Sequence, residues 1–595
     1  MKPRTRRILI TLAVIVGLVL ILAAAAGWVG SKALSAKSEL EKAQTLVGQL
    51  KTDATKMDLV AVGATSKELS AATSKAVAQT HDPLWRFAEV VPVAGANLTA
   101  VRQLAEAIDV VAQKAVAPVA DIASGLSVAS LKPVDGKINL EPLIQLNTAL
   151  GGAITALGQA ATSVSEIKRE GNIDQVDAAA AKLGMMLTGA ADQLVKVKSF
   201  TSVAPGMLGA DGPRTYLLVF QNLAETTALG GSAAALTEVT VDNGAIAIGR
   251  QASSQSFVQG KQVKISDEDD KVSAIYQPLM YRQLNLATSR PDFPTAALIS
   301  KAFWERDLGG TVDGVISVDP AALGHLLGAT GPIEMSTGDQ LSSENAVSLL
   351  LNEIYFRYQG KNGPDQTDAF FAEAAKSVFG ALMTSTTDPI ALLKAVDQGV
   401  SEHRIMAWSS RAEEQSIIAG LPLAGILPTT NDESTTTGVF FRDRSASKMD
   451  FYLQTAAKLT TDVCTAKSPT FTTTIDLHSN LTRAEAEELP SYVAAGAWGG
   501  EKFLTQVFVY GPPGTTFVSA EVNASGLETT VEQDATDLGR PVVSFLAMLA
   551  PGQSATVSAV FAGAEGTYAA PELRTTPMLN PTAATIDAPG CPQPE

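Results

Sequence analysis

An unbroken apolar run from Ile8 to Val29 constrains this chain more than any other feature. As a helix rising 1.5 Å per residue it would be about 33 Å long, enough to cross a hydrocarbon core of roughly 30 Å. Lys2, Arg4, Arg6 and Arg7 form a basic flank before it. Such a flank is expected to stay in the cytoplasm and to place everything after Val29 outside. Trp28 stands where an interfacial aromatic belongs. The competing reading is a cleaved signal peptide, with Ala24 and Ala26 as an A-x-A site. The run exceeds the ~7–15-residue core of such peptides, so a retained single-pass membrane helix is the expectation. Both readings give export. No second apolar stretch of spanning length follows, which argues against a transporter or a channel.

At 595 residues the chain is too long for one hydrophobic core, so several domains are expected. Hydrophobic residues make up 46% and charged residues 18%, a globular balance. The net charge is −16, and no cluster of Lys and Arg follows the first residues, so nucleic acid is excluded as a partner.

The expected class is multidomain α+β. A cytoplasmic basic tail (1–7) and the membrane helix (8–29) lead into a helical stalk or bundle (30–205). In that bundle Leu40, Ala43, Val47 and Leu50 repeat at helical spacing, as do Leu98, Val101, Ala105, Ile108 and Ala112. Breaks fall at Asp82-Pro83, Val91-Pro92, Gly95 and Lys132-Pro133. The character changes at Asp211-Gly212-Pro213. A central α/β domain (206–455) is read from strand-like Thr215–Gln221, from two runs flanking the Asp242-Asn243-Gly244 turn, and from Val315–Val318. Helices are expected over 320–329, 343–358, 366–384 and 389–402. A β-sandwich (456–565) is read from short strand-like runs separated by turns such as Gly511-Pro512-Pro513-Gly514. A Pro-rich tail (566–595), extended or disordered, ends the chain. The only cysteines, Cys464 and Cys591, bracket the sandwich; they are either a disulfide closing it or two partly buried thiols.

Several stretches stand in a fixed order: Asp82-Pro83-Leu84-Trp85, Gly212 to Asn222, Ala224-Glu225 with Gly230-Gly231, Asp313 to Pro320, and Ser447 to Leu453. Together they resemble a large family of bacterial membrane-anchored proteins known only as domain of unknown function 4012. The resemblance implies topology and fold rather than an activity. Relatives usually carry Arg and an aromatic where this chain has Thr227 and Ser232. A fainter likeness, from Asp313 through Ala346, links the central domain to the LytR-CpsA-Psr phosphotransferases, which attach lipid-pyrophosphate-linked glycans to the cell wall. That likeness implies Arg residues for pyrophosphate and Asp for a metal. Leu351 stands at one such Arg position, residues 365–371 contain no Arg, and only Arg357 is near.

Glu225 is the carboxylate to single out, since it follows a strand and precedes a glycine pair, where a sheet edge forms a crevice. Asp319 follows its own strand and could face the same crevice, and such a pair could hold Mg²⁺. The plainer reading has Glu225 steadying the glycine turn and Asp319 capping a helix that begins at Pro320. Asn222, Gly230, Gly231 and Arg357 complete the candidate ligand set. Gly230-Gly231-Ser232 lacks the closing Gly of a nucleophile elbow. His81, His325, His403 and His478 form no zinc-binding spacing. Two functions compete. One is a non-catalytic envelope protein binding a wall polymer, a lipid-linked glycan or a protein partner; the other is a diverged Mg²⁺-dependent glycan phosphotransferase.

Overall fold

The computed structural model describes residues 3–56, 58–92, 94–125, 134, 136–383, 388–494, 496, 500–524 and 529–591. The chain divides into two compact units. One holds residues 1–131 and 139–211, the other residues 132–138 and 212–595.

The first unit is helical. Its elements are Pro3–Thr55, Leu59–Thr80, Pro83–Ala88, Ala94–Val111, Ala117–Gly125, Glu141–Ser165 and Asp174–Met207. Asp58 and Asp82 start their helices by accepting the N–H groups of Ala61 and Leu84, each at 2.9 Å. The seams are built largely from alanine, which lets helix backbones approach closely. Ala43, Leu46, Leu69, Ala72 and Ala112 form one buried cluster, while Ala100, Leu104, Ala153, Ala156 and Leu157 belong to another. The expected stripes are therefore met at Ala43, Ala105 and Ala112, whereas Val47 faces solvent. The expected break at Lys132-Pro133 lies outside the described residues.

The membrane-spanning helix expected over residues 8–29 is not supported. Among the described residues, no helix is long and apolar enough to cross a membrane. The apolar run is the leading part of one longer helix, Pro3–Thr55, that continues through Lys32, Lys37, Glu39, Glu41 and Lys42. The side chains of residues 3–19, 21 and 22 lie outside those described. Trp28, expected at a membrane interface, donates its indole N–H to Asp82 at 3.2 Å, and the Lys32 ammonium lies 5.0 Å from its ring.

The second unit begins with a five-stranded sheet in the order β3-β2-β1-β4-β7. Its strands are β1 (Arg214–Thr227), β2 (Gly230–Asp242), β3 (Ala245–Ser253), β4 (Gly314–Val318) and β7 (Met406–Ser409); β5 (Ile333–Glu334) and β6 (Gln340–Leu341) pair separately. β1 is central, antiparallel to β2 and parallel to β4, which explains its near-continuous apolar sequence. Asn243 and Gly244 turn the β2–β3 hairpin with φ of 46° and 80°, as an Asn-Gly turn requires.

Two further five-stranded sheets face each other as the sandwich. One has the order β12-β15-β10-β9-β17 and the other β13-β14-β11-β8-β16. The strands are β8 (Thr435–Asp443), β9 (Leu453–Thr461), β10 (Thr470–Ser479), β11 (Phe503–Tyr510), β12 (Thr515–Ala524), β13 (Thr529–Asp537), β14 (Arg540–Leu549), β15 (Ser554–Gly563), β16 (Pro571–Thr575) and β17 (Ala583–Asp587). The sandwich thus starts before residue 456, at β8. The Pro-rich tail also takes part in it: β16 pairs in parallel with β8 and β17 with β9. Cys464 and Cys591 form a disulfide beside that last strand. Phe440, Phe508, Tyr510 and Val542 of the sandwich belong to the same buried cluster as Leu217, Phe293 and Trp304. The two sheet regions therefore share a core instead of forming two separately filled domains.

Candidate functional site

The site grows from an irregularity in β1. Asn222 lies opposite Ser232 and Thr226 opposite Gly231, so residues 223–225 are extra on the β1 side. A bulge of this kind re-aims side chains. Leu223 and Ala224 turn inward against Leu351. Asn222 secures the bulge: its Oδ1 accepts the N–H of Ala224 at 3.1 Å, and its amide donates to the Tyr355 hydroxyl at 2.9 Å. Gly231 is required opposite, because a Cβ there would lie 2.3 Å from the Asn222 carbonyl. Its N–H donates to Gln221 Oε1 at 2.9 Å. Gly230 has φ +124°, a conformation that favours glycine. Three expected ligand residues (Asn222, Gly230 and Gly231) are thus builders of the bulge.

The bulge delivers Glu225. Its carboxylate accepts the Ser232 hydroxyl at 2.6 Å and pairs with the Lys448 ammonium. Lys448 lies 4.1 Å from the Tyr492 ring centroid and 5.3 Å from that of Tyr355. Burial alone would push its ammonium down, but the charge of Glu225 and the tyrosines beside it outweigh that and its pKa is raised. Two residues on, Asp450 accepts the N–H of Thr226 at 2.8 Å. Asp443 accepts the N–H groups of Ser445 and Ser447 at 2.6 and 2.9 Å. Burial pushes both carboxyls up, and the nearby Asp443 charge adds to the effect on Asp450. The Ser447–Asp450 segment is therefore the clamp on the β1 bulge.

Above the bulge lies a cavity of about 850 Å³. Thr227, Ser232 and Leu351 line it, so the positions at which the resemblances imply Arg or an aromatic are neutral here. Asp365 and Asp368, on the helix Gly363–Leu382, also line it. Arg442 and Arg444 reach its wall but are engaged: Arg442 donates to the Tyr276 carbonyl at 2.7 Å and Arg444 to Gln506 Oε1 at 3.1 Å.

Asp319 does not join Glu225 there. Its neighbour Pro320 touches the cavity, but Asp319 is not among the lining residues. It caps the helix Pro320–Thr330 through the Ala322 N–H at 2.8 Å and pairs with Arg404 at 2.8 Å. Burial raises its pKa, against the pull of Arg404. Arg404 also donates to the carbonyls of Pro577 and Met578 at 3.4 and 3.0 Å, tying the cap to the C-terminal segment. Glu225 and Asp319 do not fit as a Mg²⁺ pair, since an ammonium holds one and a guanidinium the other. Among the described residues, no group of three or more His, Cys, Asp or Glu could hold a metal ion. Arg357 is likewise placed elsewhere: it pairs with Asp339 at 2.7 Å and does not line the cavity. Lys448 is the residue that sequence reasoning left out of the site. Its signal was the Ser447–Leu453 stretch, but nothing local tells that this stretch meets Glu225.

The model of a family described as "Protein of unknown function (DUF4012)" matches residues 211–355, which include β1, the bulge and the Asp319 cap. No curated protein matches the chain in sequence. Three solved structures share partial likeness. B. subtilis TagV is 14% identical, with 37% of this chain and 85% of that one covered, at a TM-score of 0.21. The transcriptional regulator yvhJ from Bacillus subtilis is 18% identical over 35% and 77%, at 0.21. Protein gbs0355 from Streptococcus agalactiae is 12% identical over 38% and 76%, at 0.24. At TM-scores this low the overlap does not establish a shared fold.

Proposed function

We propose that this chain is an extracytoplasmic cell-envelope protein that binds a ligand in the cavity above the β1 bulge without turning it over. Its role is then binding or scaffolding during assembly of the envelope or its wall polymers. One observation carries this reading. The two carboxylates that the sequence singles out as acid, base or metal ligand are neutralised within the protein, Glu225 by Lys448 and Asp319 by Arg404. A general base needs an open hydrogen-bonding face toward substrate, and these pairs spend theirs on the fold. The Cys464–Cys591 disulfide supports an oxidising compartment.

A second reading, a diverged phosphotransferase acting on lipid-pyrophosphate-linked glycans, draws on Arg442, Arg444 and Lys448 in the cavity wall. The two readings separate in one experiment. The purified chain is incubated with a lipid-linked glycan and Mg²⁺, and product is followed by mass spectrometry. The binding reading expects no turnover. Turnover that Glu225→Ala abolishes, with folding intact by circular dichroism, overturns it in favour of the second.

A further inference from the structure

We propose that the cavity is a subsite for an uncharged, hydroxyl-rich saccharide; this rests on the binding reading above and names the ligand's chemistry. The first argument is charge. Four carboxylates (Glu225, Asp365, Asp368 and Asp443) and three cations (Arg442, Arg444 and Lys448) line the cavity. Each cation already has an acceptor in the protein: a carbonyl, an amide oxygen and Glu225 respectively. Asp365 and Asp368 form no ion pair among the described residues, and the half-buried Asp368 carboxyl is pushed up, by burial first. A phosphate entering here would lose its hydration, meet two carboxylates and have to pull a guanidinium from its partner.

The second argument is hydrogen-bonding capacity. The side chains of Gln251, Gln255, Gln283 and Asn285 line the same cavity and make no hydrogen bond to protein among the described residues. An amide offers both donors and acceptor, and a carboxylate offers acceptors only. That combination matches neighbouring hydroxyls on a sugar ring, each of which donates once and accepts. The third argument is shape. Tyr492 is 38% exposed and lines the cavity with Phe371, giving aromatic surface for the C–H face of a pyranose. The volume of about 850 Å³ falls within the ~300–1,000 Å³ usual for small-ligand clefts and leaves room for a short oligosaccharide.

The test applies the full chain to an array of neutral bacterial oligosaccharides, followed by calorimetry on the best binder. Inorganic pyrophosphate with Mg²⁺ and a teichoic-acid-type polymer serve as anionic probes. The proposal expects a neutral glycan to bind in the presence of chelator, with an affinity that added salt leaves unchanged. Asn285→Ala and Asp368→Ala should each weaken that binding by about tenfold or more while leaving the melting temperature in place. A silent array, preference for either anionic probe, or unchanged affinity in both variants overturns it. Consumption of the bound glycan would instead sink the non-catalytic reading and leave the ligand class standing.

Discussion

Glu225 and Asp319 look alike in the sequence, each a carboxylate just past a strand of the central sheet, and the fold gives them opposite surroundings. Glu225 rides on a bulge and stays partly open, its side chain 24% exposed beside a cavity. Asp319 continues a regular strand into a helix cap and is sealed, at 2% exposure, under Arg404 and the C-terminal segment. The difference lies in what arrives from far along the chain. Lys448 reaches Glu225 across an aromatic wall, whereas Arg404 brings with it the backbone of residues 577 and 578. One carboxylate borders the cavity, and the other holds the unit together.

The largest effect should therefore come from the sealed pair. Arg404→Ala leaves a buried carboxylate without its counter-charge and frees two carbonyls, so a loss of about 3–5 kcal/mol in denaturant unfolding is expected. If Arg404→Ala costs no more than an exposed ion pair, the contrast between the two sites collapses.

Removing the disulfide probes the same side indirectly. It closes a loop spanning a sequence separation of 127 residues, so Cys464→Ser with Cys591→Ser should cost about 2–5 kcal/mol. Hydrogen exchange should quicken in β17 and around residues 577–578 before it does at Thr226. Equal loosening of the β1 bulge would show that the two regions are not mechanically distinct.

At the open site the expected loss is smaller. Glu225→Ala strands a buried Lys448 ammonium that can still reach toward the cavity, and about 1–3 kcal/mol is expected. The double variant Glu225→Gln with Lys448→Met removes both charges and should recover most of that loss, because replacing a buried pair by apolar atoms is often close to neutral. A double variant no better than the single would mean that the pair itself, and not the uncompensated charge, carries the stability.

Much of this was legible from local signals. The Asn243-Gly244 hairpin, β1, β4 and the Asp319–Pro320 cap follow from turn chemistry, apolar runs and capping that act within a few residues. The site was half legible: Glu225 and the glycine pair could be named, but the bulge depends on register between β1 and β2. Lys448 stands 223 residues away, joined only by the tertiary fold. β8, β9 and β13 are hard to read because Thr435-Thr436-Thr437, the Thr- and Ala-rich β9, and the acidic β13 carry little apolar contrast. The tail misled for another reason. Proline cannot donate to a ladder, and β16 and β17 satisfy that limit by adding at sheet edges. The apolar leader shows the opposite error, since composition gave it a membrane that the described helix does not support.

The smallest expected effect is the most diagnostic of the open site. Asp450 and Asp443 are buried together behind the bulge, and burial raises both carboxyls above their unfolded values. Below pH ~3.9, near the unfolded Asp value, both states are protonated and the pair does not affect stability through proton uptake. As pH rises past that value, the unfolded chain gives up its protons before the native carboxyls do, so the stability contributed by the pair falls until the raised folded pKa values are passed. Asp450→Asn keeps an oxygen to accept the Thr226 N–H but removes one titrating group. Compared with the parent, its stability curve should decline less, so that the variant gains on the parent between acid and neutral pH, the remaining decline being that of Asp443. Parallel curves for parent and variant from acid to neutral pH would mean that Asp450 is already ionised in the fold. The Thr226 N–H would then be held by a carboxylate and not by a carboxylic acid.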